Sequence, residues 1–146
     1  MLIQSLVENV EIVPDYWLHI SQEKINQFAL ATEDEQWIHM DVERCKQESP
    51  FKTTIAHGFL TISLLSQAFS KQIQIDPSFQ TLINYGMEKL RFLEPVRSDD
   101  HIRFCFSLLE REVKEKGVLH KFNVRIEIKE REVPAALGVF IVMLIE

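Results

Sequence analysis

Asp34, His39 and Gly58 are the residues whose types and spacing could do chemistry. A carboxylate and an imidazole can take a proton from water and return one elsewhere, because burial and nearby charge tune both groups to neutral pH. Gly58 closes the run Ile55-Ala56-His57-Gly58 just before an apolar stretch. A glycine in the first turn of a helix leaves a backbone N–H unshielded by a side chain, and helix-terminal amides carry partial positive charge. Such an amide can hold a carbonyl oxygen as negative charge develops on it. The alternative is that Gly58 only lets a helix pack closely against a strand. The five-residue separation of Asp34 and His39 puts them on different faces of a helix and on opposite faces of a strand. If they serve one site, Thr32–Met40 must be a bent, irregular segment carried by a rigid scaffold.

That scaffold can be read from period and punctuation. Trp17–Ile20 reads as a short strand. Ser21 is a good N-cap with Glu23 in the first turn, and Ile25, Phe28, Ala29 and Thr32 then mark one buried helical face. Asp41 can cap a second, short helix to about Gln47, which Ser49-Pro50-Phe51 breaks. The next helix spans roughly His57–Lys71 and is apolar on nearly every face, so it should be wrapped by other structure. Beyond the turn at Asp76-Pro77-Ser78 the period changes. Thr81–Phe92, His101–Val113, Leu119–Lys129 and Ala135–Ile145 are β-rich, and Phe122, Val124, Ile126 and Ile128 alternate with polar partners. Turn residues separate these runs at Glu94-Pro95, Ser98-Asp99-Asp100, Lys116-Gly117 and Val133-Pro134. Helices followed by an antiparallel meander predict an α+β domain, its long buried helix wrapped by a curved sheet. No linker or repeat divides residues 1–146, so a single domain is expected.

Composition narrows the function classes. A formal net charge of −6 argues against a nucleic-acid or anionic-membrane partner. Basic residues are interleaved with acids, as in Lys114-Glu115-Lys116, and read as solvated faces or turns. No apolar run approaches the roughly 18 residues of a membrane span. The start, Met1-Leu2-Ile3-Gln4-Ser5, lacks the basic and apolar regions of a secretion signal. Cys45 and Cys105 have no CxxC spacing, which suggests free thiols in a reducing cytoplasm. Cys105, between Phe104 and Phe106, reads as strand packing, whereas Cys45 could be exposed.

Phe28–Asp41, with Asp34 and His39 inside it, resembles the hydratase-2 motif of MaoC-like dehydratases, the (R)-specific enoyl-CoA hydratases. Ser49-Pro50-Phe51 with Thr54–Thr61 resembles the second signature of that family. Asn84-Tyr85-Gly86, Lys89–Phe92 and Pro95-Val96 resemble its central strand and following turn. The resemblance covers essentially the whole chain, in order, and is nearest to the nodulation protein N-like branch. It implies a hot-dog fold, usually as a homodimer or a dimer of dimers. It also implies reversible hydration of a trans-2-enoyl thioester, carried on coenzyme A or acyl carrier protein, to an (R)-3-hydroxyacyl thioester, with no metal or redox cofactor. Asp34 and His39 match the catalytic pair, the Gly58 amide matches the oxyanion donor, and Ser66 matches a serine of short-chain hydratases. Three residues depart from the usual pattern: Glu33 stands for Gly, Gln36 for Asn and Trp37 for Pro. A hot-dog thioesterase and a non-catalytic acyl-thioester-binding module are the alternatives.

Further residues are expected around the pair. Gln36 keeps an amide on a longer arm, and Trp37 either walls an acyl pocket or fills core. His57 either caps and packs or serves at the site, as a second base or a substrate contact. Ser66 either meets substrate or bonds back to its own helix. Asn84 either bonds a loop or lines the tunnel. Lys89, Arg91 and Arg97 could meet coenzyme A phosphates, though they are scattered. His39, Asp41 and His57 could be drawn as metal ligands, but they lack a compact ligand spacing.

Overall fold

Ser21 and Asp41 start helices as their side chains allow. The computed structural model describes residues 1–146. Ser21 Oγ accepts the Lys24 amide at 3.1 Å, opening α1 over Gln22–Thr32. The next helical turn, α2, is only Trp37–Met40. Asp41 Oδ1 then accepts the Arg44 amide at 2.9 Å, opening α3 over Val42–Glu48. Between α1 and α2 the chain bends sharply: Glu33 takes a left-handed φ of 61° and residues 34–36 are neither helix nor strand. Thr32–Met40 is thus the bent segment that the Asp34–His39 spacing requires.

The expected long helix is two segments, α4 over Gly58–Ser63 and α5 over Leu65–Gln72. The break at Leu64 has a local cause. Ser63 Oγ donates to the Leu60 carbonyl at 2.8 Å, and the Leu64 amide reaches that same oxygen only at 3.3 Å. The Ala68 amide bonds to Leu64 O at 3.0 Å, so the hydrogen-bond ladder resumes after one residue. Nor is the helix covered on every side, since Phe59 is 72% exposed.

Two short strands, β1 (Glu11–Ile12) and β2 (Leu18–His19), both pair antiparallel with β4 (His101–Lys114). With β3 (Thr81–Phe92), β5 (Gly117–Ile128) and β6 (Ala136–Ile145), they form one antiparallel sheet. Its order is β1-β4-β5-β6-β3, which leaves β3 at a free edge. The β4–β5 hairpin turns at residues 115–116, and Gly117 opens β5 with a φ of 154° and its Cα so close to the Leu144 carbonyl that a side chain is excluded.

The sheet closes on α5 through aromatic edges. Phe69 packs against Phe106, Phe122 and Phe140, one from each of β4, β5 and β6, with centroids 5.3, 4.9 and 5.6 Å apart. Phe104 and Phe106 share the core-facing side of β4, so Cys105 between them turns to the outer side, opposite Arg125. It is buried there, as is Cys45, whose expected exposure is not found. The Cys45 thiol lies 3.6 Å from the Trp37 carbonyl and 3.7 Å from that of Ile38. No helix is long and apolar enough to cross a membrane.

Candidate active site

Two parts of the chain, the bend that carries Asp34 and His39 and the segment that carries His57, meet at one place. One ligand-capable atom from each of these three residues falls within 4.8 Å of the others. Asp34 is exposed, while His39 and His57 are 7% and 3% exposed. The two imidazoles stack, with centroids 3.8 Å apart and planes inclined by 23°.

Main-chain contacts fix His39. Its Nδ1 donates to the Ile55 carbonyl at 2.7 Å, and the Ile55 amide returns a bond to the Ile38 carbonyl at 3.1 Å. A carbonyl only accepts, so Nδ1 carries the proton and Nε2 keeps its lone pair. Gln22, in the first turn of α1, locks the arrangement. Its Nε2 donates to the His39 carbonyl at 2.7 Å, and its Oε1 accepts the buried Thr54 hydroxyl. Burial is the main cause that lowers the His39 pKa. The Ile55 carbonyl opposes it, the neighbouring His57 adds to it, and Asp34 opposes it. His39 is therefore neutral near pH 7.

His57 Nε2 donates to the Asp34 main-chain carbonyl at 2.9 Å, which leaves its Nδ1 buried and without a partner. Phe28 packs on the ring at 4.9 Å. These three side chains do not form a chelating set. Imidazole lone pairs lie in the ring plane, and two nearly parallel rings cannot both aim theirs at one ion.

His57 is also the N-cap of α4, and the first bond of that helix runs from the Thr61 amide to the His57 carbonyl at 3.2 Å. The Gly58 amide precedes it, free of any intrahelical partner. Beside Gly58 lies a cavity of about 390 Å³, lined by Ile55, Gly58, Phe59, Phe92, Pro95 and Val96 among others. Bonds from Ala56 N–H to Val96 O at 2.7 Å and from Ser98 N–H to Thr54 O at 3.0 Å tie its two walls together.

The remaining expected residues separate into two groups. Ser66 and Asn84 do meet: Asn84 Nδ2 donates to Ser66 Oγ at 2.8 Å, so Ser66 serves as acceptor for a strand residue. They line a second cavity of about 390 Å³ with Met87 and Phe140, which does not include Asp34, His39 or Gly58. Gln36 is exposed, and its carbonyl accepts the His39 amide at 3.0 Å. Trp37 is half-buried beneath the Arg44 guanidinium, 4.1 Å from the ring centroid, and lines neither cavity. Gln22 carries no sequence signal, and Thr54 and Ile55 stand in a motif without a role of their own there, since these roles arise only from contacts between distant segments.

A family model described as "MaoC like domain" matches residues 7–130. Nodulation protein N of Rhizobium meliloti is 41% identical over 138 residues, covering 91% of this chain and 83% of that protein. 3-Hydroxyacyl-thioester dehydratase Z of Mycobacterium tuberculosis is 39% identical over 127 residues, covering 86% of this chain and 83% of that protein. The solved R-hydratase PhaJ1 from Pseudomonas aeruginosa in its unliganded form is similar with a TM-score of 0.78 and 23% identity. That match covers 98% of this chain and 88% of the other. The architecture is the hot-dog fold of the MaoC-like and R-hydratase structures.

Proposed function

The chain belongs to the MaoC-like domain family, and from that premise we propose that it is a single-domain hydratase of trans-2-enoyl thioesters. The product is an (R)-3-hydroxyacyl thioester, and the reaction is reversible. The observation that carries this reading is the fixed tautomer of His39, which leaves a neutral Nε2 lone pair on a ring with a nitrogen within 4.8 Å of an Asp34 carboxylate oxygen. 3-Hydroxyacyl-thioester dehydratase Z supports the same chemistry by its relatedness.

In this mechanism Asp34 and His39 orient and deprotonate a water. Its oxygen bonds to C3, the C2–C3 π electrons move toward the thioester, and negative charge gathers on the thioester oxygen. The Gly58 amide holds that oxygen, aided by the partial positive charge of the start of α4. The proton taken from water is delivered to C2, so the pair ends as it began. The apolar cavity beside Gly58 takes the acyl end, and coenzyme A is the carrier. A cytoplasmic setting agrees with such a carrier.

A homodimer is part of the same proposal. β3 is a twelve-residue edge strand with Ile83 and Tyr85 exposed, and an edge of that length favours pairing with a second copy.

The test follows the absorbance of the conjugated thioester with crotonyl-CoA and longer trans-2-enoyl-CoAs. Loss of the band with the thioester intact, abolished in Asp34→Asn and His39→Ala, is expected. Near-native turnover in both folded variants would sink the assignment. Release of free thiol would point to thioester hydrolysis instead.

A further inference from the structure

His57 touches both Asp34 and His39 and directly precedes Gly58 in the chain. Its ring is 3% exposed and lies between Phe28 and His39, with no open face for a substrate. Its Nε2–H reaches the main chain of Asp34, 23 residues away. Its peptide caps α4, whose first residue is Gly58. Its Nδ1 is buried without a hydrogen bond. Buried polar atoms are nearly always paired, so an orphan held in place by contacts on other sides asks for a reason. Packing alone would be served by an apolar ring of the same size, without that orphan.

We propose that His57 is the positioning residue of the site, holding Asp34 by its Nε2–H, His39 by its ring face and Gly58 by its own peptide. This rests on the reading of those three residues as the hydration machinery. One rigid imidazole thereby sets the spacing between the acid–base pair and the oxyanion donor. The charged or titratable groups facing His39 are His57 itself and Asp34, with the Ile55 carbonyl and the neutral Gln22 completing its surroundings. His57 is a cause of the lowered His39 pKa, second to burial among those that lower it. Its loss therefore moves His39 titration to higher pH.

Two variants separate the contacts. His57→Phe keeps a ring against His39 but loses the donor to Asp34. His57→Gln keeps an amide donor within reach of Asp34 but loses the ring face. With enoyl-CoA as substrate, the Phe variant is expected to lose about 100-fold in kcat with KM close to native, the scale of a small misplacement of reacting groups. The Gln variant is expected to recover part of that loss. Both variants remove the charge of His57, so in each the acidic limb of kcat/KM and the NMR titration of the His39 ring should shift to higher pH. Native kcat in His57→Phe, together with an unmoved His39 titration in His57→Gln, overturns the proposal. The NMR titration needs no substrate, so it reads the charge of His57 beside His39 independently of hydration. Failure of hydration itself is reported separately, by native protein that leaves every enoyl thioester unchanged.

Discussion

The Phe92 ring lies 2.9 Å from the point that a Cβ on Gly58 would occupy. The glycine that presents its amide is therefore roofed by an aromatic ring from the end of the edge strand. Phe92 is 49% exposed and so has room to swing outward. Gly58→Ala should fold, because the exposed Phe92 ring can swing away from the new methyl. Turnover should still fall by at least about 10-fold, since the new methyl and the shifted ring crowd the oxyanion position. Thermal melts and steady-state rates together check this. Gly58→Ala/Phe92→Ala should relieve the crowding without restoring native turnover.

Acid should weaken the fold through two histidines. Burial lowers the pKa of His39 and of His120 below the ordinary 6.5. The unfolded chain then binds more protons than the folded one between 6.5 and the lowered values. Stability from both residues is present above about pH 6.5 and is lost as pH falls through the folded values. Melting temperature should drop between pH 7 and pH 5, and His120→Gln should flatten part of that drop. Hydration should share the His39 limb, with its acidic midpoint below 6.5 in pH–rate profiles.

Glu33 holds a left-handed conformation at the end of α1, with φ of 61°. The hydratase-2 motif that this segment resembles has glycine at this position, a residue suited to that conformation. A side chain in that region costs about 1–2 kcal/mol, which glycine avoids. Glu33→Gly should be more stable than Glu33→Ala by about 1 kcal/mol in urea titrations. Equal stability would mean that the bend before Asp34 relaxes once the glutamate is gone.

Phe69 joins α5 to three strands at once. Phe69→Ala should cost about 3–5 kcal/mol. Against a typical margin of about 5–15 kcal/mol, that is enough to lower the denaturation midpoint markedly. A loss under about 1 kcal/mol would mean the sheet collapses to fill the space.

Local signals were the legible part of this chain. Ser21 and Asp41 cap helices because a short oxygen-bearing side chain can reach an amide three residues on. The strands of the second half were readable because alternation survives wherever one face is buried. What could not be read depends on segments distant in sequence. The brace from Gln22 to Thr54 and to the His39 carbonyl joins three elements that no spacing rule connects. β1 is too short to carry a period. Trp37 lies under Arg44, because a cation across the α2–α3 corner claims its face. The resemblance named Asp34, His39 and Gly58, but the contacts that hold them together emerge only from the fold.

The covering of Cys105 has a chemical consequence. Glu11, Arg125, Glu127 and Arg103 form a chain of ion pairs on that face of the sheet. Burial, with Glu127 adding to it, pushes the thiol up to about 11. Burial also raises the Cys45 thiol. Conjugated enoyl thioesters are Michael acceptors, and only a thiolate attacks them quickly. Under the proposed hydration, a chain with both sulfurs protonated and enclosed is protected from alkylation by the enoyl thioester.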